Sequence, residues 1–199
     1  MRGKCGRHAQ GLLPEDGSPT TTGGDRGILG EEVPGLGLDN RLSLRVVLEA
    51  EVYPTEDERR VMQAMKTIVP FSEEVDDVEV LEGPVKLIRV RKEGHDSLSK
   101  LRSSLRNNRV LDTARSLLLS KRGEIRPLRF HKQAAMVGRI NLVDDEEFSP
   151  MGAIVLRIEY EGDPTILADW LAPKTERGRP VGEATLQDLL RGRREVSNI

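Results

Sequence analysis

Apolar and polar side chains alternate along the chain between residues 42 and 53. The apolar positions are Leu42, Leu44, Val46, Leu48, Ala50 and Val52. Because successive side chains of a β-strand point to opposite faces of the sheet, this alternation predicts a long strand with one buried face. Pro54 ends the pattern.

The next predicted element is a helix that begins at a capping box. Thr55 and Glu58 have the three-residue spacing of that motif, and Glu56 and Asp57 add negative charge where the helix begins. The helix is expected to stop before Pro70. Its apolar stripe comprises Val61, Met62, Met65 and Ile68 or Val69.

Two strands and two helices are predicted in the middle of the chain. The strands, 78–81 and 85–90, flank a turn at 82–84. Asn107 and Asn108 mark the expected break between the helices, because asparagine tolerates the left-handed conformation at a helix end. The helical stripes are Leu98, Leu101 and Leu105, then Val110, Leu111, Ala114, Leu117 and Leu118.

Further strands are predicted at Leu128 to Phe130, Ile140 to Leu142 and Ile154 to Tyr160. Asp163 and Pro164 then open a short helix that runs through Trp170. Alternating, half-exposed strands do not suit an all-parallel buried sheet. The sequence therefore predicts an α+β fold, a mostly antiparallel sheet with helices packed on one face.

The chain divides into three parts by composition. Residues 1–40 contain ten of the nineteen glycines and lack a periodic apolar pattern, so we expect a flexible glycine-rich extension or sequence upstream of the true start. Residues 41–180 are expected to form a single domain. Residues 181–199 are expected to be a short C-terminal tail that can be helical.

Composition also excludes several classes of protein. Cys5 is the single cysteine, so the fold cannot contain an internal disulfide. No apolar run approaches the roughly 18 residues of a membrane span, and no apolar stretch of the signal-peptide type follows the basic residues at the N-terminus. We therefore expect a cytoplasmic protein without membrane association.

The net charge of −2 conceals an uneven distribution of charge. Residues 86–139 carry fifteen basic and four acidic side chains, whereas the segments on either side are acidic. Such a surplus is typical of a surface that binds nucleic acid, since arginine can donate two parallel hydrogen bonds to a phosphate. We expect phosphate contacts from Arg102, Arg106, Arg109, Arg115, Lys132 and Arg139, and polar contacts from His131 and Gln133.

Helix geometry and composition refine this expectation. Arg102 and Arg106, one helical turn apart, should lie at the rim of the packed face, beside the first leucine stripe. The cations can instead lie on solvated helix faces or pair with acidic residues of the flanking segments. Aromatic residues make up only 3% of the chain, which disfavours a surface that stacks unpaired bases. The predicted partner is therefore structured or double-stranded RNA.

Two other functions remain open. A protein-interaction module would use the basic segment to dock an acidic partner. A metal-assisted phosphodiester enzyme would use Asp144, Glu146 and His131, because the four consecutive acids at 144–147 are able to hold Mg²⁺. An exposed acidic turn is the simpler interpretation of those acids. We expect no catalysis, no metal and no cofactor.

Several strings of residues occur in order over residues 44–180. They are Val47 to Asp57, Leu105–Arg106 with Arg109 to Arg115, Lys132 to Ala135 with Gly138, Asn141 and Asp144, Ser149 to Gly152, and Asp169 to Thr175 with Gly178 and Pro180. In these strings the chain resembles an archaeal family of uncharacterised proteins that carries an RNA-binding label. The resemblance implies RNA binding and an α+β fold similar to the ribosomal protein that contacts five-S RNA. It implies no catalytic residue, and His131 stands where it leads us to expect asparagine.

Overall fold

The computed structural model of the protein describes residues 43–144 and 151–193. Within these residues the chain forms eight strands, six α-helices and a 3₁₀ turn at His95–Leu98. The strands are β1 (Leu44–Val52), β2 (Asp77–Leu81), β3 (Lys86–Glu93), β4 (Leu128–His131), β5 (Leu142–Val143), β6 (Ala153–Tyr160), β7 (Lys174–Glu176) and β8 (Arg179–Val181). The helices are α1 (Glu58–Ile68), α2 (Ser99–Asn107), α3 (Leu111–Leu118), α4 (Lys132–Met136), α5 (Pro164–Leu171) and α6 (Leu186–Arg191).

Six of the strands form one sheet in the order β2–β3–β1–β6–β4–β5, and every neighbouring pair is antiparallel. β1 lies in the middle of the sheet, where Leu48 is opposite Val90 of β3 on one side and Leu156 of β6 on the other. β7 and β8 form a separate hairpin. The predicted α+β fold with a mostly antiparallel sheet is confirmed.

The core lies between one face of this sheet and the helices. Along β1 the predicted apolar positions from Leu44 to Val52 are buried, whereas the intervening positions are half-buried or exposed. Each fully buried aliphatic side chain contributes about 1.5–3 kcal/mol to the free energy of unfolding. The helices bury the predicted stripes against this face, including Val61, Met65, Ile68, Leu101, Leu105, Leu111, Ala114 and Leu118.

Helix α1 begins later than the capping box predicts. Its N-cap is Asp57, whose carboxylate accepts hydrogen bonds from the backbone N–H groups of the second and third helical residues. A turn precedes the helix, because the Glu56 backbone N–H donates to the Tyr53 carbonyl (2.9 Å). The Thr55–Glu58 capping box is therefore wrong, and Asp57 performs the capping instead.

The break between α2 and α3 also differs from the prediction. Asn108 has a right-handed conformation, and its side chain donates to the Ser104 carbonyl (2.8 Å). The left-handed residue is Arg109, with φ of 55°. The position of the break was predicted correctly, but the residue that makes the turn was not.

Residues 184–191, which composition placed in a tail, pack into the domain. Ala184 and Leu189 are buried in the core. The Tyr160 hydroxyl donates to the Leu189 carbonyl (2.6 Å), and Thr185 caps α6 through a capping box with Asp188. The sequence allowed a helix in this region, and the structure contains it as α6, packed into the domain.

Some predictions concern residues outside those that the structure describes. They are the glycine-rich residues 1–40, Leu42, the acids at 145–147, and residues 149–150 of the fourth string. In the described ranges, no helix is long and apolar enough to cross a membrane.

Candidate nucleic-acid interface

Arg89 and Arg91 lie on the less buried face of β3 and pair with carboxylates of both neighbouring strands. Arg89 Nε lies 2.7 Å from Oε1 of Glu49 on β1, and Arg91 Nη1 lies 3.0 Å from Oδ2 of Asp77 on β2. Glu79 accepts hydrogen bonds from both guanidinium groups. The hydrogen bond to Asp77 raises the pKa of Arg91. Both cations are thus neutralised by cross-strand partners within the sheet.

The two lysines of β3 are held in the same way. Lys86 Nζ lies 3.1 Å from carboxylate oxygens of both Glu58 and Glu82. Hydrogen bonds to Glu82 and then Glu58 raise the pKa of Lys86. Lys92 Nζ lies 3.2 Å from Asp76. The first four cations of the basic segment therefore already have acidic partners.

Arg102 and Arg106 lie one turn apart on α2 and reach the C-terminal end of α5. Arg102 Nε donates to the Trp170 carbonyl (2.9 Å), and its guanidinium group lies 5.1 Å from the centre of the Trp170 ring. Arg106 Nη1 donates to the Arg102 carbonyl (3.1 Å), and its Nη2 donates to the Trp170 carbonyl (3.4 Å). Nη2 of each arginine also contacts Oε1 of Glu183. The predicted pair is thus brought together at the rim of the helix layer.

The pairing leaves a surplus of positive charge, because two guanidinium groups share the carboxylate of Glu183. Partial burial lowers the pKa of Arg106, and repulsion from Arg102 lowers it further, while Glu183 opposes this change. The side chains of the two arginines remain 32% and 23% exposed. An anion in solvent can therefore approach them.

Arg115 is anchored more deeply than this pair. Its Nη1 lies 2.7 Å from Oδ1 of Asp169, and the two side chains are only 13% and 10% exposed. Nη1 also donates to the Ala172 carbonyl (3.3 Å). Asp112 accepts hydrogen bonds from the backbone N–H (3.0 Å) and hydroxyl (2.5 Å) of Thr175. These contacts hold α3 against α5 and β7.

Lys132 does not reach the surface. Its Nζ lies 2.9 Å from Oε2 of Glu56 and donates to the Glu51 carbonyl (2.7 Å). Nζ also lies 5.3 Å from the centre of the Tyr53 ring. The side chain is completely buried, so its ammonium group cannot meet a phosphate in this structure. The burial of Lys132 therefore contradicts its predicted contact with phosphate.

The neighbours of Lys132 are placed differently. His131 caps α4, because its Nδ1 accepts a hydrogen bond from the Ala134 backbone N–H (3.4 Å). Gln133 and Arg139 are exposed. The His131 ring therefore has a structural contact on one side, while Gln133 and Arg139 remain open to a ligand.

A turn at residues 119–126, which we call the basic turn, presents cations that were not among the expected contacts. The Ser120 backbone N–H donates to the Glu124 carbonyl (2.8 Å), and the Arg126 backbone N–H donates to the Leu118 carbonyl (2.7 Å). The exposed residues Lys121 and Arg122 lie at its tip. The Lys-Arg-Gly string was the signal available in the sequence, since Gly123 adopts the positive φ of 81° that the turn requires.

The expected site residues therefore fall into two groups. Arg102, Arg106, Arg109 and Arg115 belong to α2, α3 and their junction. His131, Lys132, Gln133 and Arg139 belong to the end of β4, α4 and the loop that follows, where α4 packs on α1. Arg109 is exposed at the junction, like Arg139 in its loop.

The structure gives no support to the metal-site alternative among the residues it describes. Those residues contain no group of three or more His, Cys, Asp or Glu side chains that could hold a metal ion. Asp144 lines a cavity of about 100 Å³ beside Arg126 and Arg129. The other acids of the 144–147 cluster lie outside the described residues.

Comparison with known proteins assigns the chain to a family. A family model described as RNA binding matches residues 45–160. A UPF0201 protein of Sulfurisphaera tokodaii is 39% identical over 140 residues, which cover 70% of this chain and 94% of the relative. A UPF0201 protein of Aeropyrum pernix is 39% identical over 156 residues, which cover 74% of this chain and 97% of the relative.

A solved structure supports the same assignment. The crystal structure of a UPF0201 protein from Methanococcus jannaschii matches with a TM-score of 0.56 and 25% sequence identity, covering 69% of this chain and 99% of that one. The protein is thus an α+β domain of a class found in archaea, and the family model of that class is described as RNA binding. The chain belongs to the UPF0201 family.

Proposed function

We propose that this protein binds structured RNA without catalysis, through those cations of residues 86–139 that keep their charged groups at the surface. The observation that carries the proposal is the match of residues 45–160 to a family model described as RNA binding. That range includes the whole basic segment, with its fifteen cations and four acids. Such a surplus attracts the phosphate backbone irrespective of base sequence.

The contacts of the individual cations support a selection among the basic residues of the segment. The β3 cations are neutralised in the sheet, Arg115 is paired with Asp169, and Lys132 is buried. Arg109 and Arg139 are exposed, and neither forms a salt bridge with any residue in the described ranges. The proposed phosphate contacts are Arg102, Arg106, Arg109 and Arg139, joined by Lys121 and Arg122 of the basic turn, with His131 and Gln133 as polar contacts.

The aromatic side chains favour recognition of the RNA backbone over stacking of bases. Phe71, Phe130 and Trp170 are buried, and Tyr53 and Tyr160 are half-buried. A single-stranded RNA platform needs exposed aromatic rings on which bases can stack. The described surface thus favours the shape and phosphates of a base-paired RNA.

The proposal is tested by titrating the protein with a base-paired RNA hairpin at several salt concentrations. If the six proposed cations, Arg102, Arg106, Arg109, Arg139, Lys121 and Arg122, each neutralise one phosphate, log affinity should fall against log salt with a slope of about −5, at roughly 0.9 per phosphate of a duplex. An unpaired RNA of equal length should bind more weakly. Absence of binding at low salt, or affinity that does not change with salt, would contradict the proposal.

Two controls separate RNA binding from the other functions. Polyglutamate of the same charge as the hairpin should compete poorly with RNA, whereas a module that docks acidic proteins would bind it at least as well. The length of the RNA after incubation with Mg²⁺ should be unchanged. Cleavage of the hairpin would contradict the proposed absence of catalysis.

A further inference from the structure

The charged ends of Arg102 and Arg106 converge on one point at the rim of α2. Nη2 of each arginine contacts the same oxygen, Oε1 of Glu183. We propose that this point is a binding site for a phosphate group, and that Glu183 occupies it when no phosphate is bound. Glu183 would then act as a built-in competitor that sets the affinity of the site.

The two arginines are held in place by contacts that do not involve Glu183. Arg102 Nε donates to the Trp170 carbonyl (2.9 Å), and Arg106 Nη1 donates to the Arg102 carbonyl (3.1 Å). The Trp170 ring supports the Arg102 guanidinium group at 5.1 Å. The orientation of the pair is therefore fixed before a ligand arrives, which reduces the entropy lost on binding.

The charge balance favours phosphate over the carboxylate that now fills the site. Two guanidinium groups face a single negative charge, and their mutual repulsion is visible in the lowered pKa of Arg106, to which partial burial contributes most. A phosphate group offers more oxygens to the two guanidinium forks than a carboxylate does. A free phosphate carries up to two negative charges, whereas each phosphodiester of an RNA backbone carries one. Exchange of Glu183 for a free phosphate would thus neutralise the pair more fully, and an RNA backbone would do so when each arginine contacts a different phosphodiester.

Glu183 can leave the site by rotation of its own side chain. It lies in the short link between β8 and α6, and its side chain is 37% exposed. The backbone of that link is fixed beyond it, because Ala184 is buried and donates to the Asp169 carbonyl (3.4 Å), and Thr185 caps α6. Release of the arginines therefore requires no movement of the backbone.

The same phosphate chemistry can come from an RNA backbone or from a free phosphate. The RNA source rests on the proposed function, whereas the free-phosphate source does not. The test therefore uses two probes, inorganic pyrophosphate by calorimetry and the base-paired RNA hairpin by fluorescence anisotropy. Glu183→Gln, which keeps the shape of the side chain and removes its charge, is the central variant.

Glu183→Gln should bind pyrophosphate about tenfold more tightly than the wild-type protein, because a charged competitor for two guanidinium groups has been removed. Adding Arg102→Gln to this variant should abolish the gain. Glu74→Gln is the matched control, since Glu74 is exposed on the loop before β2 and its loss changes net charge equally. That control should change affinity by less than twofold.

Each outcome decides the inference. A gain with both probes identifies the RNA backbone as the source, and a gain with pyrophosphate alone identifies a free-phosphate site. If Glu183→Gln raises the affinity for neither probe by more than Glu74→Gln does, the inference is overturned even when the wild-type protein binds RNA. If the variant is poorly folded, the ¹⁵Nε resonances of Arg102 and Arg106 in the wild-type protein replace it. They must shift on addition of pyrophosphate, and unchanged resonances overturn the site.

Discussion

Lys132 Nζ lies 2.9 Å from Oε2 of Glu56, and both side chains are almost completely withdrawn from solvent, at 0% and 6% exposed. The pair joins the first residue of α4 to the turn that precedes α1. Its ammonium group is also satisfied by the Glu51 carbonyl. Such an ion pair is worth little when it replaces apolar packing, but breaking it is costly, because one charge is left buried alone.

Lys132→Met should therefore lower the free energy of unfolding by about 3–5 kcal/mol, since the buried carboxylate of Glu56 would lose its cationic partner and keep the hydrogen bond from the Tyr53 backbone N–H. Urea denaturation monitored by circular dichroism measures this change. Adding Glu56→Gln should recover part of the loss, because the uncompensated charge is then removed. If Lys132→Met alone lowers the free energy of unfolding by less than about 1 kcal/mol, the ion pair is accessible to solvent and this prediction is wrong.

Arg115→Gln should lower the free energy of unfolding by about 2–4 kcal/mol, because the carboxylate of Asp169 would lose the guanidinium group of Arg115 in a nearly buried site. The loss is expected to loosen the C-terminal end of α5, where Arg115 also binds the Ala172 carbonyl. Thermal melting gives the magnitude, and hydrogen exchange in α5 gives the location. Arg122→Gln in the exposed basic turn is the control and should stay within about 0.5 kcal/mol.

Asp57→Ala should cost about 1 kcal/mol, because the carboxylate that caps α1 would be lost. Thr55→Ala is the matched control, since threonine at that position is the cap that the sequence pattern predicts. The structure predicts little effect of the threonine variant on urea denaturation. Equal losses in the two variants would contradict the observed start of α1 at Glu58.

The ionisation of Tyr160 makes the free energy of unfolding depend on pH in the alkaline range. Burial, with a smaller effect of the Asp163 carboxylate, raises the pKa of Tyr160 to about 12 from 10.0. Below pH 10 the phenol is protonated in both the folded and unfolded chain. Between pH 10 and 12 the unfolded chain loses the proton first, so the free energy of unfolding should fall as the pH rises.

Tyr160→Phe removes this titration and the hydrogen bond to Leu189 together. The variant should be less stable at pH 8 and should lose less additional stability between pH 10 and 12 than the wild-type protein does. Urea denaturation at each pH provides the comparison. Parallel losses in the two proteins over the alkaline range would contradict the raised pKa.

The sheet and the core followed from the sequence because their signals are local. The alternation from Leu44 to Val52 and the stripe from Val61 to Ile68 both report which face is buried. The predicted helix boundaries were less accurate. Glu56 forms a turn before α1, Asp57 caps that helix, and Arg109 makes the left-handed turn between α2 and α3. These roles depend on contacts that residue preferences do not specify. Ordered packing of Leu189 was not predicted, since a single buried leucine leaves no periodic pattern.

The charged residues were harder to place, because the sequence shows a charge but not its partner. Lys132 and Arg115 looked like phosphate contacts within the basic segment, yet their partners Glu56 and Asp169 lie 76 and 54 positions away along the chain. Pairing with the acidic flanks was an alternative that the sequence left open. Glu183 could not be identified as the partner of the α2 arginines before the fold was known.

RNA is proposed to bind the exposed cations and not the cations of the sheet. The most direct measurement compares two double variants that each remove two positive charges. One combines Arg109→Gln and Arg139→Gln, and the other combines Arg89→Gln and Arg91→Gln. Affinity for the base-paired hairpin is measured against salt concentration for both, with circular dichroism to confirm that each is folded. The exposed pair should bind RNA at least tenfold more weakly, with a slope about 1.8 units shallower, at roughly 0.9 per lost phosphate contact with a duplex. The sheet pair should keep the wild-type slope, and an equal or larger loss in the sheet pair would contradict the account.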